Sequence, residues 1–157
     1  MSLTLNGTSG ITSPSAAAPA FSAYNSASQT GIASSTFTKL NFDTEEYDTN
    51  SNFASSRFTP TIAGYYQMTA ACESATTSSV VGGSYISFYK NGARNYENAA
   101  QCPSGTTFSF GTASALIYMN GTTDYIEVYV YSNAANPYAT NANSYRTYFQ
   151  GFLARSA

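Results

Sequence analysis

Glu45, Glu46 and Asp48 form the closest carboxylate cluster in the sequence, and a pair of carboxylates is the minimum requirement of a glycoside hydrolase. Neighbouring acids in a polar segment are more commonly solvated charges than a catalytic pair. The sequence also contains no histidine, so it lacks the usual proton carrier at neutral pH and cannot form Ser-His-Asp or Cys-His arrangements. We therefore expect a protein that is not an enzyme.

Oxygen-bearing side chains alternate at Asp48, Asn50 and Asn52, as they do at the start of a calcium-binding loop. Phe53 replaces the glycine that such a loop needs at its sixth position, and Thr59 replaces the glutamate at its twelfth. A hydrogen-bonded polar turn is the preferred interpretation. We expect no cofactor, with calcium as the alternative.

The two cysteines are too few for a zinc site or a disulfide framework of their own. Cys72 lies in a predicted strand and Cys102 in a loop rich in Gly, Ser and Pro. One disulfide that clamps this loop and two unpaired thiols are both open, because spacing alone does not establish the geometry of a bridge.

Composition favours one ordered β domain. The chain has 157 residues, of which 15% are aromatic and 9% charged, and the aromatic residues include 14 Tyr. Disordered chains show the reverse pattern. The net charge of −2 and six dispersed Lys and Arg give no basic patch for nucleic acid. We also predict no membrane insertion and no signal peptide, because the sequence lacks a long apolar run and a basic N-terminal region followed by an apolar one.

Any site depends on the strands that position its side chains, and residues 57–70 give clear local signals for one of these strands. Pro60 suits a strand start or edge, Gly64 permits a close approach of backbone, and the alternation that follows predicts a half-buried strand in which Tyr65 and Tyr66 face opposite sides. The preceding polar run, 43–56, is predicted to be a long loop.

Two further predicted strands, 84–90 and 113–119, each run into an Asn-Gly pair, which is a strong signal for a hairpin. The clearest strand is 125–131, with Ile126, Val128 and Val130 on one face and tyrosines around Glu127 on the other. No helical period of useful length occurs, so the pattern predicts a sandwich, jelly roll or barrel.

The tyrosine-bearing face of the predicted strand 125–131 is costly to leave in water, and self-association is the simplest way to cover it. The candidates for a contact between subunits are Tyr65, Tyr125, Tyr129 and Tyr131.

Loop tyrosines have a different interpretation, because a tyrosine can stack on a sugar ring and hydrogen-bond through its hydroxyl. The loop 133–145 therefore supplies candidates for binding a bacterial surface glycan, namely Tyr138, Asn141, Asn143 and Tyr145.

Five landmarks in order give the chain a family resemblance: Ala20-Phe21-Ser22-Ala23, Phe58-Thr59-Pro60 with Ala63-Gly64-Tyr65-Tyr66, Phe88-Tyr89-Lys90-Asn91-Gly92, Tyr125-Ile126-Glu127-Val128, and Phe149-Gln150-Gly151-Phe152-Leu153. The sequence resembles the C1q-like domains of the C1q/TNF superfamily. The segment 43–53 and the N-terminal Leu-Asn-Gly-Thr-Ser-Gly-Ile-Thr are similar to the version found in bacteriophage and prophage structural proteins of the tail or collar.

The resemblance implies a ten-stranded jelly-roll sandwich that forms a homotrimer at the end of a stalk or fibre. Because calcium can bind near the trimer axis in this family, Asp124 and Glu127 are a second pair of calcium candidates. Residues 1–19 are interpreted as an attachment segment and linker and 20–157 as the jelly-roll domain. The first segment shows no collagen-like Gly-X-Y repeat, which argues against a complement-type role.

The function expected from these observations is a non-enzymatic virion module, the trimeric head of a phage tail-fibre, collar or decoration protein. Its partners would be other virion proteins and a bacterial surface glycan or receptor. It would reach the outside of the cell by lysis. A secreted C1q/TNF-like ligand or lectin with a protein receptor, and a protein that serves assembly alone, are the alternatives.

Overall fold

The computed structural model describes residues 5–6, 10–11, 18–75, 83–101, 108–132, 139–140 and 144–157, and in these ranges the chain is entirely β-structure and irregular connections. None of these residues belongs to a helix long and apolar enough to cross a membrane. The strands are β1 (Leu5–Asn6), β2 (Gly10–Ile11), β3 (Ala20–Tyr24), β4 (Thr38–Lys39), β5 (Thr44–Asp48), β6 (Phe53–Ala54), β7 (Arg57–Phe58), β8 (Gly64–Ala75), β9 (Gly83–Lys90), β10 (Ala93–Gln101), β11 (Phe108–Met119), β12 (Ile126–Ser132), β13 (Ala139–Thr140) and β14 (Tyr148–Ser156).

Two antiparallel sheets contain the main strands. The first sheet has the order β11-β8-β14-β3-β5, with β13 added beside β8, and the second has the order β10-β9-β12-β7-β6, with β4 added beside β12. Each main path has five strands, and neighbours in a sheet are mostly distant in sequence. This arrangement confirms the predicted jelly-roll sandwich, in which the short strands β4 and β13 are added to the ten of the main paths.

The core lies between the two sheets, and aromatic rings fill its centre. Phe21 of β3 stacks on Phe53 and Phe58, with ring centroids 5.0 and 4.3 Å away, and meets Phe149 edge-on at 4.8 Å. All four rings are buried. Tyr66 also lies in the core, where its hydroxyl donates to the carbonyl of Ile62 at 2.7 Å and burial raises its pKa to about 12. The alternation predicted for this strand is therefore confirmed.

The two Asn-Gly pairs that follow the predicted strands 84–90 and 113–119 behave differently. Asn91 and Gly92 have φ angles of 53° and 79° and join β9 to β10 in the predicted hairpin. The hairpin predicted at Asn120-Gly121 is wrong, because β11 pairs with β8 while β12 lies in the other sheet. The Asn120 side-chain oxygen instead accepts from the backbone N–H groups of residues 122, 123 and 124, which turns the chain from one sheet to the other.

Close backbone approach explains Gly64. A Cβ added there would lie 2.4 Å from the Arg155 carbonyl oxygen and 2.6 Å from Leu153 Cδ1, so the predicted requirement for glycine is confirmed. The long loop predicted over 43–56 is wrong. Its residues form β5 and β6, because β5 pairs along β3 at the edge of the first sheet and β6 pairs with β7.

The N-terminal segment is described only in part. Leu5 pairs with Ile11 and Asn6 with Gly10 in an antiparallel ladder, which fits a small hairpin near the Asn6-Gly7 pair. The Leu153 N–H donates to the Pro19 carbonyl at 2.9 Å and the Thr49 hydroxyl donates to the Ala18 carbonyl at 3.3 Å, so residues 18 and 19 contact the sandwich.

Candidate functional site

The outer face of the first sheet carries most of the large apolar and aromatic side chains that are exposed among the described residues. Along β11, Ala113, Ala115, Ile117 and Met119 face the core, whereas Ser114, Leu116 and Tyr118 alternate with them on the outside. The period of two in this strand dictates that arrangement. Leu116 is 50% exposed and Phe152, on β14, is 52% exposed, which is unusual for large apolar side chains in mid-strand.

Strand register assembles these side chains into one surface. Leu116 lies opposite Gln67 of β8, and Gln67 in turn lies opposite Phe152. One step along the sheet, Tyr118 lies opposite Tyr65 and their ring centroids are 5.4 Å apart. The exposed apolar groups are therefore neighbours across three strands.

This surface is also neutral. We call it the outer aromatic face and define it by eleven outward residues from the middle of three strands: Tyr65, Gln67, Thr69 and Ala71 of β8, Thr112, Ser114, Leu116 and Tyr118 of β11, and Tyr148, Gln150 and Phe152 of β14. The charged residues Glu73, paired with Phe110, and Arg155, paired with Tyr65, lie at its two ends. None of these eleven residues carries a charge at neutral pH. Tyr47 of β5 extends the face, and a shallow depression of about 110 Å³ lies between it and Phe152.

Three of the four tyrosines proposed for a subunit contact lie on the opposite side of the sandwich. Tyr65 belongs to the outer aromatic face, but Tyr125, Tyr129 and Tyr131 lie on the outer side of the second sheet. Tyr129 stacks on Tyr89 with centroids 4.0 Å apart. A contact between copies through Tyr125, Tyr129 and Tyr131 stays a prediction.

The chain itself covers part of that second surface. The Arg57 guanidinium lies 3.9 Å from the centre of the Tyr125 ring, and the Phe37 ring lies 4.9 Å from that of Tyr131. Both covering side chains come from segments far from β12 in sequence. Intramolecular contacts thus supply some of the burial that the sequence pattern assigned to another subunit.

A buried carboxylate holds these covering segments. Glu127 Oε1 accepts from Lys39 Nζ at 2.7 Å and from Arg57 Nε at 2.9 Å, and the residue is 3% exposed. Burial raises the pKa of Glu127 and is the largest single influence, but the hydrogen bonds and charges of Lys39 and Arg57 together outweigh it and place the pKa below its ordinary value of 4.5. Burial and this carboxylate raise the pKa of the adjacent Tyr129 hydroxyl.

The calcium candidates have protein hydrogen-bond partners. Asp48 accepts from the N–H groups of Asn50 and Phe53 at 3.2 and 2.7 Å, while Asn52 Oδ1 accepts from the Thr61 N–H at 3.3 Å. This is the geometry of a polar turn. Among the described residues no three His, Cys, Asp or Glu side chains form a group that could hold a metal ion.

Asp124, the other carboxylate proposed for calcium, is held in a similar way to Glu127. Its oxygens contact Lys90 Nζ at 2.8 Å, Asn91 Nδ2 at 2.7 Å and the Asn120 N–H at 3.0 Å. Burial raises the pKa of Asp124, yet these contacts outweigh it and lower the pKa overall. A calcium ion would have to displace at least one of them.

The loop predicted to bind a glycan and the second cysteine fall largely outside the described residues. This applies to Tyr138, Asn141, Asn143 and Cys102; Tyr145 is 69% exposed. Cys72 is a free buried thiol 3.7 Å from Ser74 Oγ, and burial raises its pKa to about 12. The bridge stays a prediction because Cys102 lies outside the described part of the chain.

Sequence reasoning did not single out Leu116, Tyr118 or Phe152. The signal was present, because Leu116 and Tyr118 alternate with Ala115 and Ile117 in a strand that was correctly predicted. Alternation marks two faces but does not say which of them is packed when both carry large apolar residues.

Comparisons with known proteins support the fold alone. No protein-family model matches the chain, and no curated protein matches its sequence. The chain is similar to a crystal structure of murine APRIL at pH 5.0, with a TM-score of 0.62 and 10% identity over 87% of this chain and 98% of that one. A structure of murine APRIL at pH 8.5 gives a TM-score of 0.61, again at 10% identity, over 86% and 98%. The protein has a TNF/C1q-like jelly-roll fold.

Proposed function

We propose that this protein is a non-enzymatic, homotrimeric jelly-roll module that packs through its outer aromatic face. In this proposal it is the head of a phage tail-fibre, collar or decoration protein, it is carried on the virion, and it takes part in attachment to the host surface. The phage setting rests on the resemblance of 43–53 and of the N-terminal segment.

The outer aromatic face is the observation that carries the proposal. Full burial of a leucine or phenylalanine side chain contributes about 1.5–3 kcal/mol, so covering the exposed half of Leu116 or of Phe152 contributes about 1 kcal/mol each. Tyr65 and Tyr118 add area whose hydroxyls can still hydrogen-bond. Depletion of charge together with enrichment in aromatic residues is typical of the centre of an interface.

The number three comes from the family resemblance. In a closed ring each copy contacts two neighbours through different patches, so the outer aromatic face of one subunit packs against another part of the next. The second sheet, which lies on the far side of the sandwich, then remains at the perimeter. A contact between subunits through Tyr125, Tyr129 and Tyr131, which the sequence pattern predicted, is the alternative to this arrangement.

Attachment would be multivalent. Three copies of a weak glycan site on one rigid particle bind a repetitive bacterial surface with an avidity about 10²-fold or more above that of one site. The loop candidates Tyr138, Asn141, Asn143 and Tyr145 are the proposed contacts, because exposed tyrosine and asparagine combine ring stacking with amide hydrogen bonds.

Whole-cell binding tests the proposal. Fluorescently labelled protein is incubated with a panel of bacterial species and compared with a Leu116→Glu variant, in which the outer aromatic face is interrupted. We expect binding to at least one species with an apparent affinity about 10²-fold above that of the variant. Equal binding by both proteins contradicts the multivalent mechanism, and binding to no bacterial species contradicts the role in attachment.

The second candidate is a secreted soluble ligand or lectin with a protein receptor, which the resemblance to the C1q/TNF superfamily implies. A protein with that function would recognise its partner through contacts with another protein, and it would not bind bacterial glycans. A module with an assembly role alone would bind neither bacteria nor a receptor, and would be found only in complexes with other virion proteins.

A further inference from the structure

A cavity opens on the outer side of the second sheet, well away from the outer aromatic face. It has a volume of about 350 Å³, and the described residues that line it are Phe37, Tyr85, Arg94, Glu97 and Tyr131. Pockets for small molecules range from about 300 to 1,000 Å³, so this one is large enough for a small ligand.

Three aromatic rings form one side of the cavity. The Tyr131 ring lies 4.9 Å from Phe37 and 5.6 Å from Tyr85, measured between centroids, and all three rings are half-buried. Strand register holds two of them, because Tyr131 on β12 pairs directly with Tyr85 on β9. Phe37 closes the group from the segment before β4. Two of the three rings are therefore presented by paired strands of the second sheet.

Hydrogen-bond donors and acceptors both border the rings. Glu97 Oε2 accepts from Arg94 at 3.0 Å and from Ser87 Oγ at 3.0 Å, while no described residue hydrogen-bonds to Glu97 Oε1. Likewise, within the described part of the chain, the hydroxyls of Tyr85 and Tyr131 have no hydrogen-bond partner. The cavity thus offers hydroxyl and guanidinium donors and carboxylate and hydroxyl acceptors beside an apolar ring surface.

This chemistry selects a neutral polyhydroxylated ligand. Sugar rings have C–H faces that pack on aromatic rings and hydroxyls that both donate and accept. A cationic ligand is disfavoured, because the Arg94 guanidinium already lies 5.1 Å from the centre of the Phe37 ring. An anionic ligand would face the Glu97 carboxylate. The charges of Arg94 and Glu97 cancel, so neither sign is attracted from a distance.

We infer that this cavity binds one neutral pyranose unit, with Phe37, Tyr85 and Tyr131 packing on the sugar and Arg94 and Glu97 bonding to its hydroxyls. The inference deepens the proposed function by naming a glycan site and the class of sugar. It differs from the loop 133–145 proposal in location, and it needs only one subunit.

Saturation-transfer NMR with defined probes tests it. Neutral methyl glycosides of glucose, galactose, N-acetylglucosamine and rhamnose are compared with methyl glucuronide and choline. We expect at least one neutral glycoside to bind with an affinity that falls about fivefold to tenfold in Tyr131→Ala and about threefold in Tyr131→Phe. The matched control is Tyr96→Ala, an exposed tyrosine on neighbouring β10 that does not line the cavity, and it should leave affinity unchanged.

Several results would overturn the inference: no neutral glycoside binds the wild type, glucuronide or choline binds instead, or Tyr96→Ala weakens binding as much as Tyr131→Ala. Should Tyr131→Ala fail to fold, Tyr131→Phe decides alone, because it removes only the hydroxyl. The Leu116→Glu protein separates this site from the proposed trimer, since it should retain the affinity for the methyl glycoside even if it is a monomer.

Discussion

Replacing Leu116 by glutamate should dissociate the trimer without unfolding the subunit. Leu116 is 50% exposed in the single chain, where a glutamate would point into water. The free energy of folding of the subunit should change by no more than about 0.5 kcal/mol, which is usual for exposed positions. Within the proposed interface, the same carboxylate would lose its water with no cation among the eleven residues of the outer aromatic face.

The magnitude follows from that change of surroundings. Each subunit loses about 1 kcal/mol of apolar burial, and desolvating an unpaired carboxylate adds about 2 kcal/mol or more. Three substituted subunits therefore cost the trimer about 9 kcal/mol, which raises its equilibrium constant for dissociation by about six powers of ten. An assembly of even nanomolar strength would not survive at micromolar concentration.

Light scattering coupled to size-exclusion chromatography measures the outcome. The chain has a mass of 16.7 kDa, so we expect about 50 kDa for the wild type and 16.7 kDa for Leu116→Glu. Tyr96→Glu is the matched control, because Tyr96 is 46% exposed on the opposite sheet and its replacement should leave the mass of the trimer unchanged. A monomeric wild type at high concentration, or a Leu116→Glu protein that stays trimeric, would refute the assignment of this face to the interface.

Three further predictions follow from buried groups. Because the pKa of Glu127 is lowered in the folded state, its ion pairs with Lys39 and Arg57 should stabilise the protein at pH values above 4.5, and this stabilisation should be lost as the pH falls from 4.5 through the lower folded pKa. Glu127→Gln should reduce the free energy of unfolding by about 1–2 kcal/mol at pH 7. Thermal melts from pH 7 to 3 should show the acid-dependent loss in the wild type and not in the variant. Millimolar calcium should leave the melting temperature unchanged, because Asp124 and Glu127 are paired to cations, and a rise of several degrees would contradict this. Gly64→Ala should destabilise the fold by about 1–3 kcal/mol in urea unfolding, since its Cβ would lie 2.4 Å from a carbonyl oxygen, and an unchanged midpoint would show that the strands can separate freely.

Local patterns were sufficient for much of the fold. The strand at 125–131, the hairpin at Asn91-Gly92 and the close approach at Gly64 each depend on residues adjacent in sequence or on the properties of a single glycine. The prediction failed at 43–56, where a polar composition suggested a loop. An edge strand such as β5 can be largely exposed, so its side chains can be as polar as those of a loop. Polar composition therefore does not distinguish an edge strand from a loop.

The surfaces were harder to predict than the strands. Alternation in 125–131 correctly separated core from exterior, but the contacts of Phe37 with Tyr131 and of Arg57 with Tyr125 join segments that the sequence gives no reason to pair. For the same reason, the outer aromatic face became visible only when register placed Leu116 and Phe152 on either side of Gln67. Such surfaces arise from long-range topology, which periodicity within one strand does not report.

The ion pairs of Glu127 also have a consequence for the lifetime of the folded protein. Lys39 and Glu127 are 88 positions apart in the chain, and Arg57 and Glu127 are 70 apart, so these contacts can form only once the distant segments have been brought together by the sheets. Contacts that form after the folding barrier slow unfolding and leave the folding rate nearly unchanged. We therefore expect Glu127→Gln to raise the unfolding rate more than it lowers the folding rate, which would shorten the time for which a folded subunit persists.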